Sequence, residues 1–182
     1  MKTDVKNQFT GIAPLIPGQD FEVSISPNGE EFVLPDAQGY ERELARLKKI
    51  CAEQSLKGRQ IVVVMGVGFV GAVMAGVVAD AWDAAKEDSP YFVIGMQRPS
   101  TRSYWKIPYL NRGQTPVEAE DPEVAPLISR CVLDKQTLIA SFSYDALSMA
   151  DIVVVDGSAT ILRNFWAVFI RARWISGPWK KA

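Results

Sequence analysis

One stretch, QIVVVMGVGFVGAVMAGVVADA from Gln60 to Ala81, constrains this chain more than any other. It joins an unbroken run of β-branched residues to three glycines spaced G-x-G-x-x-G and then to a series of small residues. An Ile and Val run without polar alternation is the pattern of a strand covered on both faces, as in a parallel sheet. The segment after it predicts a helix over about Phe69 to Lys86. Further strands are expected at YFVIGM (91–96), at TLIAS (137–141, the weakest) and at DIVVVD (151–156), with helical or irregular segments between them. Strands alternating with helices imply an α/β fold with a doubly wound, mainly parallel sheet.

Upstream, residues 1 to about 37 are rich in Pro, Gly and polar side chains. FEVSI and EEFVL flank the turn signal SPNGE there, which predicts a hairpin. Tyr40, Leu44, Leu47 and Cys51 then recur at helical spacing, and Gly58 follows as a stop. The expected organisation is an N-terminal extension over 1–58 with an amphipathic helix at 40–57, a main domain over 59–156, and an atypical tail over 157–182. A length of 182 residues suits one well-buried domain and is short for two ordinary ones.

Composition excludes more than it suggests. With 48% hydrophobic and 23% charged residues and a net charge of -1, the chain has no basic excess of the kind nucleic acid attracts, so no such partner is expected. The amino terminus lacks a signal-like apolar core, and no apolar run reaches the roughly 20 residues of a membrane span, so a cytoplasmic protein is expected. Histidine is absent, which removes Ser-His-Asp and Cys-His nucleophile systems, imidazole bases and the commonest zinc sets. No metal site is expected. The two cysteines, Cys51 and Cys131, lack C-x-x-C spacing and are read as small buried hydrophobes.

In a strand-turn-helix unit the turn backbone can approach a dinucleotide pyrophosphate closely only where no Cβ intervenes, with the helix N-terminus aimed at the charge. Gly66 would make the tight turn, Gly68 would admit the pyrophosphate, and Gly71 would let the helix lie close on the strand. Val67, Phe69 and Val70 complete the candidate cofactor-binding turn, and the whole pattern is Rossmann-like. Packing without a ligand and an S-adenosylmethionine site are the alternatives, the third glycine weighing against the second. Where an NAD site places an acid on the adenosine ribose, at the end of the second strand, this chain has Gln97. No acid occurs between Asp88 and Glu118, whereas Arg98, Arg102, Lys106 and Arg112 do. Gln97, Arg98 and Arg102 are therefore the candidate contacts to the adenosine end, and they point toward NADP; a merely solvated basic face is the competing account.

Three segments in order, VVVMGVGFVG, YLNRGQTPVEAEDPEVAPLI and SFSYDALSMADIVVVD, carry a resemblance to the N-terminal domain of the UDP-glucose/GDP-mannose dehydrogenase family over about residues 60–156. The resemblance implies NAD as cofactor and oxidation of the C6 alcohol of a nucleotide sugar to the acid, in two hydride transfers. It also implies a nucleophilic cysteine in a Gly-Gly-x-Cys context on the substrate-binding half. Neither cysteine here has that context, so no catalytic residue is assigned. The family's ribose acid is replaced by Gln97, and Glu118 and Glu120 bracket the expected position of the glutamate in its second segment.

After Asp156 the resemblance stops. The tail carries five basic residues, no acidic one and three tryptophans. A truncated or frame-shifted product is one account of it; a short helix covering exposed sheet is another, and a membrane-surface role is the weakest. The expectation is thus the NAD(P)-binding portion of a nucleotide-sugar dehydrogenase, inactive alone, that meets a nucleotide sugar only when the missing half is supplied. A non-catalytic binding module or remnant is the alternative, a methyltransferase-like domain a weaker one, and a homo-oligomer is left open.

Overall fold

The computed structural model describes residues 21–155. The expectations for residues 1–20, for Asp156 and for the tail at 157–182 lie outside the described residues. Within them, SPNGE turns a two-stranded antiparallel hairpin, β1 (Val23–Ile25) and β2 (Glu31–Val33), with Val23 opposite Val33. Helix α1 (Ala37–Leu56) starts three residues before the expected position, because the Asp36 carboxylate accepts a hydrogen bond from the Gly39 amide at 2.7 Å and caps the helix. There follow β3 (Gln60–Met65), α2 (Phe69–Ala79), β4 (Tyr91–Met96), α3 (Lys106–Asn111), α4 (Val124–Ser129), a π-helical turn at Arg130–Asp134, β5 (Leu138–Ser141), a 3-10 turn at Tyr144–Met149, and β6 (Ile152–Val155).

The four later strands form one parallel sheet in the order β5-β4-β3-β6. The strand before the glycines lies inside, the next two are added on one side, and the chain then crosses back to the other. This is the Rossmann order, and its reversal point falls between β3 and β6. Alternation along β3 divides the core. Val62 and Val64 face α2, α3 and α4, together with Ala72, Ala75, Leu110 and Ile128. Ile61 and Val63 face α1 and the 3-10 turn, with Leu47, Cys51, Phe92, Ile94 and Ala146. Both faces are thus covered, as the unbroken apolar strands require.

The edge strand β5 needs partners for its outer backbone groups. Asn111 supplies them: its Oδ1 accepts from the Ala140 amide at 2.7 Å and its Nδ2 donates to the Ala140 carbonyl at 3.1 Å. Just ahead of β6, Asp151 accepts from the Ile61 amide on Oδ2 at 2.8 Å and donates its own amide to the Ile61 carbonyl at 2.8 Å, which starts β6 in register beside β3. The hairpin docks on α3, where the Trp105 amide donates to Ser24 Oγ and the Tyr109 hydroxyl to Ser26 Oγ.

Helix α2 ends at Ala79 rather than at Lys86. Past it the aspartates compete with the helix for backbone donors. Asp83 takes the Ala85 amide on its own carboxylate and pairs main chain to main chain with Asp88, turning the chain back toward β4. Asp80, at the end of α2, accepts two hydrogen bonds from Arg130, at 2.9 and 2.7 Å, and pairs with Lys135 at 2.7 Å. Hydrogen bonding to Arg130 first, and to Lys135 after it, holds the Asp80 carboxyl below the usual carboxylate range.

A carboxyl whose pKa is depressed by folding adds stability above its unfolded pKa of about 4, and that stability is lost as the pH falls. We expect Asp80→Asn to lower stability at neutral pH and to flatten the decline between about pH 5 and 2. Urea unfolding across a pH series checks this; mutant and wild-type curves that run parallel through that window would refute it.

Candidate functional site

The glycine turn lies at the carboxyl end of β3, where an open α/β sheet presents its ligand crevice. Gly66 adopts φ +91°, a conformation L side chains rarely take, and its amide donates to the Met96 carbonyl at 2.7 Å. The Val67 side chain turns inward and is fully buried, while its amide donates to Gln97 Oε1 at 3.1 Å. Gly68 is the N-cap of α2 in extended conformation, with no side-chain cap. Built at Gly66 or at Gly68, a Cβ would meet nothing within 4 Å among the described residues. The turn is therefore fastened from beneath and bare above.

Phe69, Val70 and Gly71 form the first turn of α2, Gly71 buried and the Phe69 and Val70 side chains half exposed. Amides in a first helical turn have no intrahelical acceptor and carry the positive end of the helix dipole. Without a capping side chain, this one offers its donors to an anion. Bare backbone at Gly66 and Gly68 leading into an uncapped helix fits a pyrophosphate.

The loop after β4 is ordered by its own hydroxyls. Ser103 Oγ donates to the Arg98 carbonyl at 2.9 Å, Ser100 and Ser103 share a hydrogen bond of 2.7 Å, and the Trp105 indole donates to the Arg102 carbonyl at 3.1 Å. The side chains of Arg98 and Arg102 are exposed on it. Seven arginines occur among the described residues, and five of them, Arg42, Arg46, Arg59, Arg112 and Arg130, are in ion pairs. Arg98 and Arg102 have no ion pair among the described residues. Arg112 is drawn away to the hairpin, onto Glu30 at 2.7 Å and over the Phe32 ring, and Lys106 lies over Trp105.

Two features escaped the sequence reading. One is Gly95, inside β4, where a Cβ would stand 2.7 Å from Val67 Cγ1. The gap left by its missing side chain is the seat of the turn, and a glycine within a buried strand was the available signal. The other is buried Glu43 on α1, which binds Arg46 through two hydrogen bonds of 2.6 and 2.7 Å and accepts from Ser141 Oγ at 2.6 Å. Arg46 also donates to the Ala140 carbonyl. The pair ties α1 to the carboxyl end of β5, and no helical pattern of apolar residues could announce it.

Both cysteines are buried, as expected. Burial raises the Cys51 thiol, and burial foremost, with Asp80 nearby, pushes Cys131 up to about 11, so neither is a ready nucleophile. Among the described residues no group of three or more Cys, Asp or Glu side chains could hold a metal ion, and no helix is long and apolar enough to cross a membrane.

No protein-family model matches the chain, nor does any curated protein. Among solved structures, the chain is similar to the NDP-N-acetyl-D-galactosaminuronic acid dehydrogenase from Methanosarcina mazei Go1, at 30% sequence identity and a TM-score of 0.47. The match covers 60% of this chain and 21% of that one, so the chain spans about a fifth of that protein's length.

The seat of Val67 generates a direct test. Gly95→Ala places a methyl against a stiff, β-branched side chain that is packed on every side. It should cost about 1–3 kcal/mol in chemical denaturation, as overpacking does. A loss below about 0.5 kcal/mol, within the scatter of ordinary surface changes, would show that Val67 is not held there.

Proposed function

We propose that this chain supplies the dinucleotide-binding part of a nucleotide-sugar 6-dehydrogenase. One observation carries the reading: the backbone at Gly66 and Gly68 is uncovered and runs into an uncapped helix at the carboxyl end of an inner parallel strand. A pyrophosphate is the group whose charge and size suit that place. The three sequence segments similar to the UDP-glucose/GDP-mannose dehydrogenase family supply the substrate class.

A bound nicotinamide dinucleotide would accept hydride from the sugar alcohol. The residues of this chain hold and orient it: Gly66, Val67, Gly68 and the amides of Phe69, Val70 and Gly71 at the diphosphate, and Gln97, Arg98 and Arg102 at the adenosine end. The nucleophilic cysteine of the family stands in a Gly-Gly-x-Cys context that the 182 residues do not contain. Turnover therefore needs residues supplied from outside them, and the chain alone binds cofactor without oxidising substrate.

At the adenosine end the charge balance favours NADP. The loop holds two guanidinium groups with no ion pair among the described residues and no carboxylate between Asp88 and Glu118. A 2′-phosphate offers such groups a bidentate partner, and a ribose hydroxyl does not.

Titration of the purified protein with NADH and with NADPH, followed by nucleotide fluorescence, tests the reading. Saturable binding is expected, and binding of neither at millimolar concentration would overturn it. Gly68→Val should abolish binding of both while changing stability by about 1 kcal/mol, since the new side chain enters open space at a helix cap. Unchanged affinity in that variant would place the diphosphate elsewhere. Arg98→Ala should weaken NADPH at least tenfold more than NADH; equal losses would separate the guanidinium from the 2′-phosphate.

A further inference from the structure

We infer that the N-terminal hairpin is a positioning element of the cofactor site: through Ser24 it holds Trp105, whose indole fixes the backbone at Arg102 and so sets that arginine toward an anionic ligand. The inference rests on the dinucleotide reading above and gives that site a control point 81 residues before Trp105 in the chain.

The hairpin faces the wrong way for apolar packing. Ser24, paired across the strands with Phe32, and Ser26 are buried, while Ile25 and Val33 point outward and are exposed. Neither apolar cluster of the core contains a hairpin residue. The hairpin is held instead by directed contacts onto one short stretch, Trp105 to Arg112. The Tyr109 hydroxyl donates to Ser26 Oγ at 3.1 Å and accepts from Asn28 Nδ2 at 3.3 Å, Phe32 meets the Tyr109 ring edge to face, and Glu30 pairs with Arg112.

Ser24 reaches further. Trp105 stands at the start of α3, where its amide has no acceptor within the helix, and the buried Ser24 hydroxyl accepts from that amide at 3.2 Å. The Trp105 ring packs edge-on against Tyr109 at 5.1 Å, and its indole donates to the Arg102 carbonyl at 3.1 Å. One residue thus joins the hairpin, by its backbone, to the arginine loop, by its side chain. The Arg102 side chain is exposed, so the direction of its backbone decides where the guanidinium can reach. A loop fixed beforehand spares the entropy of ordering it when the anion arrives.

The coupling runs both ways. A two-stranded hairpin is marginal by itself, so this one depends on the stretch it grips. By linkage, a ligand that holds Arg102 in place stabilises the hairpin as much as the hairpin favours the ligand.

Two variants and one wild-type measurement test this, with affinities for NADPH and NADH read by nucleotide fluorescence and water exchange of N–H groups read by NMR. Trp105→Phe keeps a ring against Tyr109 and removes the indole donor, and Ser24→Ala removes the acceptor beneath the Trp105 amide. Each should weaken NADPH at least fivefold and leave NADH within twofold. In the cofactor-free protein Ser24→Ala should also speed exchange of the Trp105 indole. In the wild type NADPH should slow exchange of the Ser26 and Leu34 amides, which bond across the hairpin to Glu30 and Glu22, more than NADH does. Equal losses of both nucleotides in Trp105→Phe, or no loss, overturn the positioning role. Hairpin amides indifferent to NADPH overturn it even where neither variant folds, and an unchanged indole in Ser24→Ala breaks the link from hairpin to loop whatever the cofactors do. A wild type that binds neither nucleotide would instead overturn the dinucleotide reading, and the positioning role with it.

Discussion

The site depends on the seating of Val67. Its side chain fills the gap left by Gly95, its amide is held by Gln97, and the residue before it takes a positive φ with its own amide on Met96. Three fastenings on the same neighbouring strand leave the turn little freedom, and they leave its outer surface bare. Preorganisation of this kind matters for an anion site, because backbone donors bind well only when ordering them at the moment of binding costs little. The helix that follows can then start without a side-chain cap, its first donors left for a ligand.

Charge is distributed unevenly between the two ends of the sheet. At the amino end Arg59 is buried and bound to Gln54 and Asp88, and Arg130 and Lys135 converge on Asp80. Those cations are neutralised where they stand and hold α2, the π-helical turn and the strand starts together. At the carboxyl end Arg98 and Arg102 lie exposed with no ion pair among the described residues. Those two guanidinium groups follow the strand next to the turn at Gly66 and Gly68, where the backbone is open among the described residues. Local arrangement, and not overall balance, sets the field a ligand would meet.

The β5 edge of the sheet is managed by a side chain. Asn111 presents to Ala140 the donor and acceptor of a missing neighbour strand, while Asp151 joins β6 to the inner strand β3 through both backbone groups of Ile61. Glu43 and Arg46 then join α1 to the end of β5, next to the residue that anchors Gln97. Helix α1 is in this way a structural layer of the sheet's second face, with Leu47 fully buried against it.

By itself the sequence determined the elements whose signals are local. Short apolar runs marked β3, β4 and β6 within a residue or so, SPNGE marked the hairpin, and the glycine spacing marked the turn, since period and steric freedom are properties of neighbouring residues. It could not determine where α2 stops, because Asp80 and Asp83 leave the helix only when Arg130, Lys135 and Asp88 are folded near them. Nor could it reveal that Gly95 exists for Val67, that Gln97 spends its oxygen on the turn, or that Glu43 is buried. Each of these is a contact between residues far apart in the chain, and only the parallel sheet, by bringing separate strand ends to one edge, decides which of them meet.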